Sequence, residues 1–583
     1  MQAVALLDKQ DTDSLPWLTI ETALYGLLAL LALLSRFYAL DARPLTSPEA
    51  AQALHAWQSV SGPGGDALAA SPLLFAGQSL AFALLGAGDA VARLLPALAG
   101  AALVLLPYLL RHRLGRIGAL AASALLLVSP TALLASRTGS GDVLLLAAGL
   151  TALTGLIGWM DFRRPAYLYL TAVSAALALT AAPGACTLIV ALAVAIALLR
   201  ILGAEGWLGL QAAWQERRNL SGEFRLALVL FIGVLALVPT TLLLHPEGVQ
   251  AVAELFPAWI NGFAPWAGEQ HLSYPLAVLI LYEPLLLLFG LAGAIRAFRE
   301  RDLLGRLLAV WAGVALLIAL LAGGRGPGDV LLIVGPLAVL AGGVIGRVVE
   351  EIAEQGRWER EGLIVGLLLA IGVFFYIELA SYAYRRETNF GWLALLSLAL
   401  SIGIFALYAL WYGWKEAWRG GAATVLLLLS LSTVSAAANL AYRHAHDPRE
   451  LLVIEGTSPN ARDLPAVLEQ ASMQRLGAVE IIPITVDESA GPVVRWYLRD
   501  FKYQTWLPAA PGPETATEAV ITPWKPYLPD LGAAYFGQDF AVRTTWQPRN
   551  FAWADWADWL LFRDSSEQPQ QERVVLWLRD QGD

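Results

Sequence analysis

Between residues 17 and 441 apolar positions run in long stretches, and polar positions are confined to short breaks between them. Stretches of roughly 17–24 apolar residues, bounded by charged or Gly/Pro-rich hinges, are the pattern of helices that cross a bilayer. They fall at 17–40, 89–110, 117–135, 142–160, 166–182, 184–203, 226–245, 275–295, 306–323, 329–346, 361–381, 391–412 and 420–441, about thirteen spans by length. The stretch 71–86 is apolar but short. Past Arg443 the pattern shortens to β-like runs: LLVIEG at 451–456, VEIIPITVD at 479–487, EAVITPW at 518–524 and VVLWLRD at 574–580. Helix-like pieces, DLPAVLEQASMQ and PVVRWYLRDF, fall between them. Such alternation predicts a small α/β domain. The expected fold class is an α-helical polytopic membrane protein with a small C-terminal α/β domain. Its expected parts are an N-terminal segment 1–16, a transmembrane domain 17–442 with large outer loops 41–88 and 246–274, and a C-terminal domain 443–583.

Composition agrees with that pattern and narrows its meaning. The chain is 57% hydrophobic and only 15% charged, against about 25% charged in soluble domains. Its apolar surface exceeds what it can hide by folding on itself, so the bilayer must serve as solvent. The single cysteine, Cys186, excludes an internal disulfide framework and a multi-cysteine metal site. The net charge of −9 comes mainly from the tail, and no basic patch suits nucleic acid.

Charge along the chain sets the expected orientation. Arg111, Arg113, Arg116, Arg163, Arg164, Arg217, Arg218, Arg225, Arg296, Arg299, Arg301, Arg306, Arg347, Arg357, Arg360, Lys415 and Arg419 share one side if the N-terminus is cytoplasmic. The opposite loops are much poorer in arginine, which is the positive-inside bias. The C-terminal domain is then extracytoplasmic. A fourteenth span at 71–86 would place the arginine-rich loops outside, so that stretch is expected to be interfacial or re-entrant.

Two acids at outer helix ends are candidates for chemistry. Glu49, in RPLTSPEAAQALHAW, falls in the first turn of a helix opened by Pro48, and Asp142 follows the glycine-rich turn of SRTGSGD. A carboxylate there can take a proton from an acceptor hydroxyl, or hold a divalent cation such as Mg or Mn beside a phosphate. Equally, an acid in a first turn can serve only the helix dipole. Arg137 and Arg325, each beside a glycine turn, can pair with a phosphate or simply snorkel to headgroups. His55 and His271 can be ligands or bases, although isolated interfacial histidines are more often structural. The tryptophans 546, 553, 556 and 559 read as a packed helix face or a membrane-surface belt. A chain of buried ionisable groups in the spans, as transporters carry, is not evident.

The ordered segments RPLTSPEAAQALHAW, SPLLFAGQSLAFALLGAGDAVARLLPALAG and GRIGALAASALLLVSPTALLASRTGSGD resemble the GT-C superfamily of membrane glycosyltransferases. Among these they look most like the dolichyl-phosphate-mannose protein mannosyltransferase branch and its flippase-associated bacterial and archaeal members. Later segments fit in the same order, including LYEPLLLLFGL, GPLAVLAGG, DPRELLVIEGTSP and VVRWYLRD, so the likeness spans about residues 35 to 505. The resemblance implies transfer of a sugar from a polyprenyl-phosphate donor to a glycan, lipid or protein acceptor outside the cytoplasm. It also implies catalytic acids in the first outer loop and after the third helix. Asp142 matches the second of these. The family's first-loop Asp-Glu is Pro48-Glu49 here, and its Glu-Lys turn before the Pro-Leu helix is Gly324-Arg325. Those departures leave two expectations: a transferase acting through Glu49 and Asp142, or a catalytically degenerate scaffold or accessory subunit of a membrane complex.

Overall fold

Each apolar stretch read from the sequence falls on helical residues, as one helix or as a broken set, in the computed structural model, which describes residues 19–61, 70–201, 221–268, 270–355, 358–508, 511–514, 517–546, 553–564 and 567–580. The helices that bear on the site are α1 (Ile20–Phe37), α2 (Ser47–Ser61), α3 (Pro72–Leu85), α4 (Arg116–Val128), α5 (Pro130–Ser136), α6 (Asp142–Phe162), α7 (Ala185–Ile201) and α8 (Pro327–Gln355). Among the described residues eight helices are long and apolar enough to cross a membrane, or ten when each of two bent pairs counts as one span. The expected count of about thirteen is larger. Three further helices, Pro165–Leu179, α7 and Ser221–Leu237, have 15, 17 and 17 residues. At 1.5 Å per residue they reach about 23–26 Å, short of a hydrocarbon core of about 30 Å. Hydropathy alone cannot tell helical from turn-forming apolar residues, as at Thr241–Leu243, where the chain takes positive φ.

The two bent pairs are α4 with α5, bent by 62°, and Tyr274–Tyr282 with Pro284–Glu300, bent by 101°. Both breaks carry a proline, which removes a donor and clashes with the preceding turn. A break inside a bundle strips backbone groups of partners, and these must be restored by protein. At the α4–α5 break both sides are restored. Arg36, fully buried, donates from Nη2 to Leu126 O at 3.1 Å and from Nη1 to Leu127 O at 3.3 Å. Glu283 Oε1 accepts from Ser129 Oγ at 2.6 Å and from Thr131 N–H at 3.0 Å. An acid from one break therefore holds the other.

The C-terminal domain holds a six-stranded sheet of β1 (Gly456–Thr457), β2 (Ile484–Asp487), β3 (Gln504–Leu507), β4 (Ala519–Pro523), β5 (Tyr535–Thr545) and β6 (Gln570–Arg579), in the order β1-β5-β6-β4-β2-β3. β2 runs parallel to both β3 and β4, and the other pairings are antiparallel. The run LLVIEG contributes only its last residue to a strand. Leu452 and Val453 instead pack into the core of the helical bundle. Helix α9 (Gly491–Tyr497) joins β2 to β3 and rests on α2.

The sheet domain shares a hydrophobic core with α2 and α3. Leu45, Ala50, Ala53, Leu54 and Phe82 cluster with Leu464, Ile484, Val486, Trp496 and Leu576. Helix α3, the short stretch 71–86, therefore sits against the sheet domain, with Phe82 and Trp496 rings 5.8 Å apart. Asp89 fixes the docking: it accepts from Trp496 Nε1 and Tyr497 Oη, each at 2.8 Å, and pairs with Arg462. Trp559, on the helix Trp553–Phe562, is fully buried and joins the bundle core with Trp546. Arg386 of the turn before Thr388–Tyr412 pairs with Asp555 and Asp558 of that helix.

Candidate active site

Beneath the sheet domain lies a cavity of about 440 Å³ in which Glu49 and Asp142 both form the wall. Five of the helices that meet there do so by their N-terminal ends, while Leu134 and Ala135 come from near the C-terminal end of α5. Thr46–Glu49 open α2, Ser71 caps α3, Ser140–Asp142 open α6, Ala182 and Pro183 precede α7, and Pro327 and Gly328 open α8. Helix N-termini present unpaired N–H groups and the positive end of the macrodipole, so their convergence favours anions. Leu452–Glu455 of the C-terminal segment form the roof.

Glu49 is 4% exposed and its carboxylate is saturated. Arg93 donates from Nε at 2.9 Å and from Nη2 at 2.8 Å, and Arg43 Nη2 lies 3.3 Å from Oε1. The Thr46 N–H and hydroxyl add bonds of 2.9 and 3.0 Å, and Gly139 N–H another of 2.6 Å. Burial alone would raise its pKa, but the Arg93 and Arg43 charges and the hydrogen bonds outweigh burial and hold it well below the usual carboxylate range. Glu49 thus ties the first outer loop to the turn that carries Asp142. Arg93, fully buried, also donates to the carbonyls of Leu40, Arg43 and Pro44 at 3.1, 2.6 and 3.0 Å.

Asp142 is differently placed. It is partly buried at the first residue of α6, and among the described residues no cation pairs with it. The Ser140 side chain is its polar neighbour, and Asp329 in the first turn of α8 lies within electrostatic range. Its carboxylate fills the space over Gly328, where an added Cβ would stand 2.6 Å from Asp142 Cγ. Of the two acids, Asp142 is the one with no ion-pair partner among the described residues.

The remaining sequence candidates stand away from the cavity wall. The Arg137 guanidinium caps the end of α1, donating to the carbonyls of Ser35, Arg36, Tyr38 and Ala39 at 2.7–3.2 Å, and stacks on Tyr442. Its expected phosphate-pairing geometry is thereby occupied by backbone. Arg325 donates to Gln270 O at 2.5 Å and Leu320 O at 3.3 Å, pinning the second outer loop to the end of Leu303–Leu321. His55 lies on α2 with its Nδ1 buried and unpartnered, and burial pushes its pKa down, keeping it neutral. His271 is exposed and hydrogen-bonds Ser273 at 2.9 Å.

For a divalent cation the residues do not fit. Both Glu49 oxygens already face guanidinium groups, which repel a metal, and among the described residues no group of three or more His, Cys, Asp or Glu is assembled for one.

Sequence reasoning passed over Arg93, Arg43 and Glu455. Glu455 enters the cavity from the C-terminal segment, accepts from Ser47 N–H at 3.0 Å and from the Ser47 hydroxyl, and sits 3.2 Å from Arg543 Nε. No local pattern marks it; only the docking of the sheet domain brings it there. Arg93 carried a signal, being a charge within an apolar stretch, which requires a buried partner.

Residues 69–214 match the family described as dolichyl-phosphate-mannose-protein mannosyltransferase. No curated protein matches the chain. Among solved structures, ArnT from Cupriavidus metallidurans bound to undecaprenyl phosphate aligns with a TM-score of 0.51 and 16% identity, covering 83% of this chain and 86% of that one. Its apo form gives 0.52 and 18% over the same shares. An oligosaccharyltransferase of Archaeoglobus fulgidus, tethered with an acceptor peptide, aligns with a TM-score of 0.45 and 13% identity over 86% and 69%. The chain shares the fold of ArnT from Cupriavidus metallidurans.

Proposed function

We propose that the protein transfers a sugar from a polyprenyl-phosphate donor to an acceptor hydroxyl, with Asp142 as general base and the sheet domain on the extracytoplasmic side. One observation carries the reading: an unpaired carboxylate, Asp142, faces a cavity ringed by helix N-termini and bordered by lipid-spanning helices. Asp142 takes the acceptor hydroxyl proton as the oxygen attacks the anomeric carbon. The bond from that carbon to the phosphate oxygen breaks, and the polyprenyl phosphate leaves with the negative charge. The N-termini of α2, α6 and α8 stabilise that developing charge, as preorganised dipoles do in a water-poor site. Undecaprenyl phosphate bound to a protein of the same fold supports a lipid of this chemistry. Glu49 positions Asp142 and stays ionised throughout.

A second reading, a catalytically silent accessory subunit of a membrane complex, is favoured by the saturation of Glu49 and by Pro48 where the family has an acid. Purified protein in nanodiscs, given a polyprenyl-phosphate sugar and acceptors, separates the two. Turnover that Asp142→Asn abolishes supports the transferase. Absence of turnover across donors, with a stable partner copurifying, supports the subunit.

A further inference from the structure

A second, larger crevice of about 780 Å³ opens in the sheet domain, at the carboxyl ends of β2 and β4. Its position follows from the topology. From β2 the chain passes through α9 to β3 on one side, then returns to β4 on the other side of β2. Parallel sheets bind ligands outside the carboxyl ends of the strands at such a switch point, where successive connections diverge. The crevice is lined there by Asp487, the last residue of β2, and by Thr522 and Pro523, the last of β4.

Its chemistry is that of a sugar site. Three aromatic rings line it, Trp524, Tyr527 and Trp577, together with the carboxylates of Asp487 and Asp530. Trp524 and Tyr527 are 55% and 64% exposed, and large aromatics left open beside acids need a partner to cover them. The Trp577 ring is held in place: its Nε1 donates to Thr522 Oγ1 at 3.0 Å, and it lies over Gly537, where an added Cβ would stand 2.6 Å from Cζ3. Asp487 is fixed through Oδ1 by Ser489 N–H at 2.9 Å and the Ser489 hydroxyl at 2.6 Å. Apolar faces of pyranose rings stack on indole and phenol, and their hydroxyls donate to carboxylates. A peptide adding as a strand would need a sheet edge, and β2 and β4 are both interior to the sheet.

The crevice and the candidate active site are linked through shared lining residues. A third cavity, of about 610 Å³, shares Pro523 and Trp524 with the crevice and Glu455 with the Asp142 cavity. We propose that the sheet domain carries a glycan-binding groove at the carboxyl ends of β2 and β4, and that an acceptor glycan runs from it past Trp524 and Glu455 into the Asp142 cavity. The groove stands on its own observations; its role as acceptor track rests on the transferase reading.

The test uses the full chain in nanodiscs and a panel of linear neutral oligosaccharides of four to six sugars, including manno-, gluco- and chito-oligosaccharides. Binding is followed by saturation-transfer NMR and tryptophan fluorescence. Binding by at least one, weakened about tenfold or more by Trp524→Ala and by Tyr527→Ala with unchanged thermal midpoints, is the expected result. Asp142→Asn leaves this affinity intact, so a failed transferase reading is distinguishable from a failed groove. If no oligosaccharide binds, if binding survives the Trp524→Ala/Tyr527→Ala double variant, or if only peptides bind, the groove is overturned. If glycan binds there but Trp524→Ala leaves KM for the acceptor unchanged in an active enzyme, the track is overturned.

Discussion

The contrast between Glu49 and Asp142 lies in their partners. Both are acids at helix N-termini, yet Glu49 faces two buried guanidiniums and three further donors, while Asp142 faces the Ser140 side chain and, among the described residues, no guanidinium. Removing one partner of a buried ion pair costs about 3–5 kcal/mol, because the other charge is left uncompensated. Glu49→Gln is therefore expected to lower stability by about that much, seen as a reduced thermal midpoint in detergent. The pH dependence follows in sign. The folded pKa of Glu49 lies below its unfolded value, so its contribution is fully present at neutral pH and is lost as pH falls below the ordinary carboxylate range. Melting curves between pH 7 and pH 3 should show the wild type beginning to lose this increment below the ordinary carboxylate range and Glu49→Gln not. Asp142→Asn should leave the melting temperature near wild type and cut turnover by about 10²–10⁴-fold, the usual worth of a general base. Since Pro48 lines the cavity with Glu49, Asp142 and Glu455, Pro48→Asp places a further carboxylate on its wall, in a helix turn that tolerates an acid. A rise in turnover with the donor saturating is the expected outcome, and no change would count against the cavity as the seat of proton transfer.

Among the elements, the first turn of α8 does most to position the reacting acid. Gly328 has no side chain where Asp142 needs room, and a methyl group there meets a movable carboxylate rather than backbone. Gly328→Ala should therefore preserve the fold and displace Asp142. Circular dichroism and thermal midpoint close to wild type, with kcat reduced at least about tenfold, would bear this out; a fully active variant would show that Asp142 works from another rotamer. The same elements show how much of the structure the sequence could disclose. Helix positions were legible because apolar length and proline breaks act locally, and Asp142 was legible because an acid after a glycine turn stands out against an apolar background. The roles of the arginines were not. Arg137 reads as a phosphate-binding or snorkelling charge, yet it caps carbonyls at the end of α1, while Arg36 restores carbonyls at the α4–α5 break and Arg93 those of the loop after α1. Backbone groups that lose partners at a break are invisible to hydropathy, and so are the side chains that restore them. Strands β3 and β5 escaped for a related reason: Gln504–Leu507 and Tyr535–Thr545 mix polar and apolar positions, and their pairing depends on neighbours far along the chain.

At the scale of the whole molecule, charge is divided between two ends. Glu21 pairs with Arg111, Asp161 with His112 and Arg113, and Glu300 with Arg296 and Arg347, all at the end of the bundle remote from the sheet domain. The opposite end holds the cavity, the roof Leu452–Glu455 and the docked sheet. Short loops rich in arginine stay cytoplasmic, so the sheet domain and the cavity should face outward, where a polyprenyl phosphate presents its headgroup and polar acceptors have access. Cysteine labelling reads this directly, since Cys186 is the chain's only thiol and can be replaced by serine. Gln470, exposed on the helix Asp463–Leu476, and Arg299, exposed at the end of Pro284–Glu300, mark the two ends. In spheroplasts a membrane-impermeant maleimide should modify Gln470→Cys at once and Arg299→Cys only after permeabilisation. The reverse order would place the cavity on the cytoplasmic side, where the donor would have to present its sugar before crossing the bilayer, and the proposed reaction would need a different compartment and a different acceptor pool.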